Sequence, residues 1–192
     1  MNFYQDSKDE EIIRNVAEKD EQAFYELFRR YENKVFNLVY RYVGTYHEAE
    51  EITQEIFLKI YYSAHKFRGE SKFATWLYRI AVNTCKNYKR KKQPAVISID
   101  DPEISTDLSA PASTEPEAIF AEKRKRAIIQ QAIDSLAPNQ KTAFILSKYE
   151  GYSYAEIAEI MKISISAVGV LLFRAKQELK KKLLPYKQRG EL

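Results

Sequence analysis

Between Lys66 and Lys92 the chain reads KFRGESKFATWLYRIAVNTCKNYKRKK, mixing cations, aromatic rings and side-chain amides at short spacing. That mixture suits unpaired nucleic acid: cations neutralise phosphates and aromatic faces stack on exposed bases. If Phe73–Lys92 is one helix at about 100° per residue, Phe73, Leu77, Ile80, Ala81, Thr84 and Tyr88 share a face able to meet a core. Thr75, Arg79, Val82, Asn83, Lys86, Lys89 and Arg90 fall opposite. Trp76 and Asn83, at i,i+7, are placed to stack on or hydrogen-bond a base. A partly buried anchor is the other account of Trp76, and one side chain can serve both.

A second candidate surface lies near the C-terminus. Ser153 and Glu156 form a capping-box pattern that opens a short helix ending near Met161. Ser164 then caps a longer helix running to about Leu184, before Pro185. Short helix, turn and long helix is the helix-turn-helix layout. Val168, Leu172, Ala175, Leu179 and Leu183 lie on one face of the long helix. Ser166, Val170, Arg174, Gln177 and Lys181 lie opposite, early residues near bases and later cations near phosphates if it enters a major groove. A helical hairpin with a solvated polar face fits the same pattern. The groove positions are poor in donors: Val170 has none, and Leu171 sits at the edge of the buried face. Such residues touch thymine methyls but do not read guanine or adenine bidentately.

A third surface is acidic. In residues 47–63, Ala49, Ile52, Ile56, Phe57 and Ile60 define a buried side. Glu51, Gln54, Glu55, Leu58 and Tyr62 lie opposite, a blend of carboxylates and large apolar groups compatible with a protein contact. A solvated acidic face is the plainer alternative. His47, His65 and Cys85 form no metal or triad arrangement, which argues against an enzyme and calls for no cofactor.

The elements that must carry these surfaces are helical. Apolar residues recur at three- and four-residue spacing over 9–31, continue over 32–43 to a stop at Gly44, and resume over 47–63. After 117–135, Pro138 suits the first turn of a helix reaching about Tyr149, closed by Gly151. Residues 94–120 hold six acids, no Lys or Arg, and four of the six prolines. They separate blocks of net charge +3 (1–93) and +7 (121–192), so an extended acidic linker between two basic blocks is expected. The fold class is therefore all-α: two small helical domains, 1–93 and 117–192, joined by a flexible linker at 94–116, the second a four-helix domain with the helix-turn-helix. One cysteine excludes an intramolecular disulfide and suggests a reducing compartment. With no signal-type segment and no run of about 18 apolar residues, the chain is expected to be soluble and cytoplasmic.

HEAEEITQEIFLKIY (47–61), the 66–92 stretch and YSYAEIAEIMKISISAVGVLLFRAKQELKKKL (152–183) together resemble bacterial sigma factors of the extracytoplasmic-function class, in the sigma-70 family. The resemblance is most specific at FRGESKFATWLYRIAVNT (67–84). It implies a subunit that binds core RNA polymerase, melts the −10 promoter element with its first domain and binds the −35 element as duplex with its second. On that basis Glu51, Ile52, Gln54, Glu55, Phe57 and Leu58 match the motif that docks on the clamp helices of the largest polymerase subunit, with the flap region a further contact. Lys66, Phe67, Arg68, Ser71, Lys72 and Phe73 match the pocket for a flipped non-template base, and Trp76, Arg79, Asn83, Lys86 and Arg90 match the helix beside it. Ser166, Ala167, Val170, Phe173, Arg174 and Gln177 match the −35 contacts. An anti-sigma factor, often membrane-bound in this family, is a further implied partner. The last helix departs from the pattern: Gly169 and Leu171 stand where the family usually has cations, and Lys162 where it usually has Gly. A stand-alone helix-turn-helix regulator is the alternative; it would need no single-strand surface and would bind an operator without polymerase. An interaction adaptor built on the acidic helix is another.

Overall fold

The computed structural model describes residues 4–92 and 116–192. Their regular structure is helical: α1 (Asp9–Ala17), α2 (Glu21–Val43), α3 (Tyr46–Ser63), a 3-10 turn (Ala64–Lys66), α4 (Phe73–Lys92), α5 (Pro116–Asp134), α6 (Pro138–Lys148), α7 (Tyr154–Met161) and α8 (Ile165–Gln188). Apart from Pro116, the expected linker lies outside the described residues. None of the described helices is long and apolar enough to cross a membrane.

Two boundaries differ from expectation. The apolar spacing runs on from residue 9 to 43, but the chain turns at 18–20, where Lys19 takes a φ of 69°. Asp20 then caps α2, accepting from the Ala23 amide at 3.0 Å. The turn folds α1 back and buries Ile12, Ile13 and Val16; a 3.6-residue period survives such a break because both segments keep an inward face. At the other end α8 does not stop before Pro185 but continues to Gln188. Proline there removes one backbone donor, and Lys181, four residues earlier, is exposed, so water can serve its carbonyl.

The first four helices close around Val35, Leu38, Ile52, Ile56, Phe73 and Leu77. This core does not end with them. Ile145, Leu146, Ile157 and Val168 of the second block belong to the same buried cluster, while Ala132, Ile133, Leu136, Ala175 and Leu179 form a smaller one of their own. The two blocks are thus packed together. The Tyr42 hydroxyl donates to Thr142 Oγ1 at 2.6 Å, the Lys141 ammonium donates to the Tyr42 carbonyl at 2.8 Å, and Arg41 lies over the Tyr149 ring at 3.8 Å. Tyr78 adds a hydrogen bond to Glu150 and an edge contact with Tyr152.

Candidate nucleic-acid interface

The N-terminus of α4 is fixed from a distance. Its first amide, Phe73 N, donates to Glu10 Oε1 on α1 at 2.9 Å, which satisfies one of the donors a helix start leaves free. Before it, Gly69 adopts φ 73°, a conformation that favours glycine, and turns the polar loop. Phe67 stands edge-on to Trp76 at 5.6 Å, and Phe73 to Tyr31 at 5.3 Å. The loop and α4 border an open cavity of about 340 Å³ lined by residues 66–71, Trp76, Arg79 and Glu159 of α7. Lys66 and Arg68 on its wall are exposed, as is Lys72 outside it, and Ser71 is half-buried.

Phe73, expected among the base-contacting residues, is fully buried. It cannot stack on a nucleotide, and its role is to seat Phe67, Trp76 and Tyr31 around it. Trp76 is half-buried: it packs on Phe67 and Phe73 and still lines the cavity, so it anchors and presents a ring at once.

The polar side of α4 also differs from expectation. Thr75 and Val82 are buried, because this side meets the second block and not open solvent. Arg79 Nη2 donates to the Glu159 carbonyl at 2.8 Å, while its Nε lies buried without an acceptor. Lys86 reaches Asn139 Oδ1 at 2.9 Å, and burial lowers its pKa from the ordinary lysine value. Lys89 meets Asp134 at 3.3 Å. Asn83 and Arg90 remain exposed. Period alone identified the face; only packing decides what covers it.

On α3, Glu51, Gln54, Glu55 and Leu58 are exposed, Leu58 at 54%. Leu58 and Tyr62 wall a shallow groove with Glu55, Lys59, Lys66 and Ile80. Ile52 and Phe57, expected as contact residues, are buried instead, and Phe57 packs edge-on to Phe28 at 4.7 Å. Their side chains hold α3 in place.

In the helix-turn-helix, Ser153 and Glu156 complete the capping box, and its hydrogen bonds hold the Glu156 carboxyl below the usual range. Lys162 takes φ 55° at the turn. Ser164 caps α8, accepting from Ala167 N at 3.2 Å. Ser166, Val170, Phe173, Arg174 and Gln177 are exposed together on one face and Ala167 is half-buried beside them. The closed packing of the two blocks leaves this face open.

One group escaped the sequence reading. Lys141 is buried between the blocks, with Asp134 and the Tyr42 carbonyl as partners. Burial pushes its pKa down to about 8 against the pull of Asp134. Its position in an amphipathic helix gave no signal, since its partners are distant in sequence. Cys85 is packed nearby, and burial raises its thiol to about 12, which suits packing and not reactivity.

Comparison with known proteins identifies the family. Residues 27–95 match the sigma-70 region 2 family and residues 126–179 the sigma-70 region 4 family. The chain is 38% identical over 184 residues to the ECF RNA polymerase sigma-E factor of Haemophilus influenzae, covering 92% of this chain and 96% of that one. It is 34% identical over 183 residues to the RNA polymerase sigma-H factor of Pseudomonas aeruginosa, covering 93% and 95%. The fold is similar to CnrH in complex with the cytosolic domain of CnrY (TM-score 0.68, 18% identity, 91% of this chain and 96% of that one). It is also similar to the sigma factor RpoE in complex with the anti-sigma factor NepR from Bartonella quintana (TM-score 0.61, 20% identity, 83% and 96%). Two sigma-70 regions in order, on a chain matched nearly end to end by such relatives, place this protein among the extracytoplasmic-function sigma factors of the sigma-70 family.

Proposed function

We propose that this sigma factor docks on core RNA polymerase through the outer face of α3, holds an unpaired −10 base in the cavity beside α4, and binds −35 duplex with α8. The observation that carries the proposal is that cavity: an aromatic wall of Phe67 and Trp76, the Arg79 guanidinium beside it, and exposed cations at its rim. Leu58 and Tyr62 lie a short way off, and give the polymerase contact an apolar centre bordered by Glu55, Lys59 and Lys66.

The energetics suit conditional melting. Extruding a base costs a few kcal/mol, stacking returns about 1–3 kcal/mol per base, and phosphate contacts add a salt-dependent term. The sum lies near zero, so melting depends on polymerase holding the DNA. The closed packing adds a further condition. Arg79 and Lys86 are engaged by the second block, and both must be released before α4 meets a strand. An anti-sigma partner that favours the closed arrangement would act on the same contacts.

The test is reconstitution of the purified chain with core polymerase, then run-off transcription on a genomic library with permanganate mapping of unpaired thymines. Discrete start sites with reactive thymines just upstream are expected. Failure to associate with core enzyme, or association without initiation at any promoter, overturns the proposal.

A further inference from the structure

The exposed face of α8 is unusual for a helix that enters a major groove. From its N-terminus the stripe runs Ser166, Gly169, Val170, Phe173, Gln177, with Arg174 at one edge and Ile165 at the other. Val170 is 48% exposed, Ile165 56% and Phe173 63%. These are apolar groups held out in solvent by a helix whose other side is fully packed. The hydroxyl nearest the tip, Ser166 Oγ, is 3.0 Å from Ser164 Oγ and belongs to the helix cap. Gly169 contributes no side chain at all. A Cβ there would meet only the Tyr154 ring at 4.0 Å, so the gap on the stripe is open space, not a close approach.

Farther along, the same helix turns basic. Lys176, Lys180, Lys181 and Lys182 follow Arg174, with Glu178 the one acid on α8. At about 1.5 Å per residue, Lys180 and Lys181 lie about 15 Å beyond Val170. An apolar tip and a cationic shaft match a DNA duplex, with base edges at the tip and phosphates along the shaft. They do not match a basic or neutral protein groove, which the shaft would repel or leave unpaired.

Resting on the reading of α8 as the duplex-binding helix, we infer that its base readout works through thymine methyl groups, with Val170 and Phe173 as the specificity-determining residues. Guanine is read by paired donors aimed at O6 and N7, and adenine by an amide at N6 and N7. The stripe offers only Gln177 for such work, and the Arg174 guanidinium lies at its edge. Thymine presents a C5 methyl into the major groove, the one base feature that an isopropyl and a phenyl group recognise.

The full chain is used for the test, since its closed packing leaves this face open. A duplex pool with ten random base pairs is selected on it at low salt, and the enriched duplex is remade with deoxyuridine for thymidine. We expect neighbouring thymines in the enriched window, and binding weakened about fourfold for each contacted methyl removed. Val170→Ala and Phe173→Ala should each abolish sensitivity to one of those methyls while leaving the salt dependence unchanged. Gly169→Arg should bring guanine into the selected window. A window dominated by guanine, or indifference to deoxyuridine while Arg174→Ala still weakens binding, overturns the inference and leaves α8 as the duplex-binding helix. No enrichment, together with indifference to Phe173→Ala and Arg174→Ala, overturns the parent reading as well.

Discussion

Leu58 and Phe57 are adjacent in sequence and opposite in consequence. One projects 54% exposed from α3, and the other fills the core against Phe28. Leu58→Asp should abolish association with core polymerase in a pull-down while leaving the melting temperature almost unchanged. Phe57→Ala should cost about 3–5 kcal/mol of stability, measured by urea denaturation. The same contrast holds around α4. Phe73→Ala should destabilise the chain by a similar amount, because its ring seats three others. Trp76→Ala removes a ring that also faces the cavity, and the lost stacking of about 1–3 kcal/mol should slow open-complex formation by roughly five- to 150-fold. A Trp76→Ala rate equal to wild type would confine that residue to packing.

The helix-turn-helix carries its own local instructions. Its capping box and the Ser164 cap were legible in the sequence because a cap uses residues three apart. Ser153→Ala should therefore cost about 1 kcal/mol. Lys162 is the opposite case: a side chain forced to φ 55° where glycine would be free. Lys162→Gly should raise stability by about 1 kcal/mol, read as a higher melting temperature. If it lowers stability instead, the turn is not strained. By contrast, nothing local announced the cap of α4, since Glu10 reaches it across 63 residues.

Across the whole molecule the decisive feature is the closed packing, and the burial of Lys141 predicts that it responds to pH. Its pKa falls from the usual 10.5 to about 8 when the blocks close, because burial disfavours the charge. Below pH 8 the lysine is protonated in both arrangements, and the full desolvation penalty opposes closure. Between pH 8 and 10.5 the open form keeps a proton that the closed form has lost, so closure strengthens as pH rises. Asp134, Lys89, Tyr42 and Cys85 surround the amine, and the tyrosine and thiol pull the other way at high pH, because burial raises both. The difference between wild type and Lys141→Met isolates the lysine. Energy transfer between dyes on the two blocks should rise from pH 8 to 9.5 more steeply in wild type than in Lys141→Met, and equal slopes would rule out the lysine as the cause. Tyr42→Phe, which removes the bond to Thr142, should shift both proteins toward the open form.

The sequence by itself determined the helical class, the buried sides of α3 and α8, the caps of α7 and α8 and the exposed residues of α3. Each of these depends on residues within a turn or two of one another, where period and spacing are direct readouts of geometry. Only the tertiary structure decided which polar-looking faces stay wet. Thr75 and Val82 are covered, Arg79 and Lys86 are bonded to the second block, and Lys141 is buried. The helical period fixes the direction of a side chain from its own axis. What stands in that direction is set by segments dozens of residues away, and packing against them decides whether a residue meets DNA, polymerase or another part of the same chain.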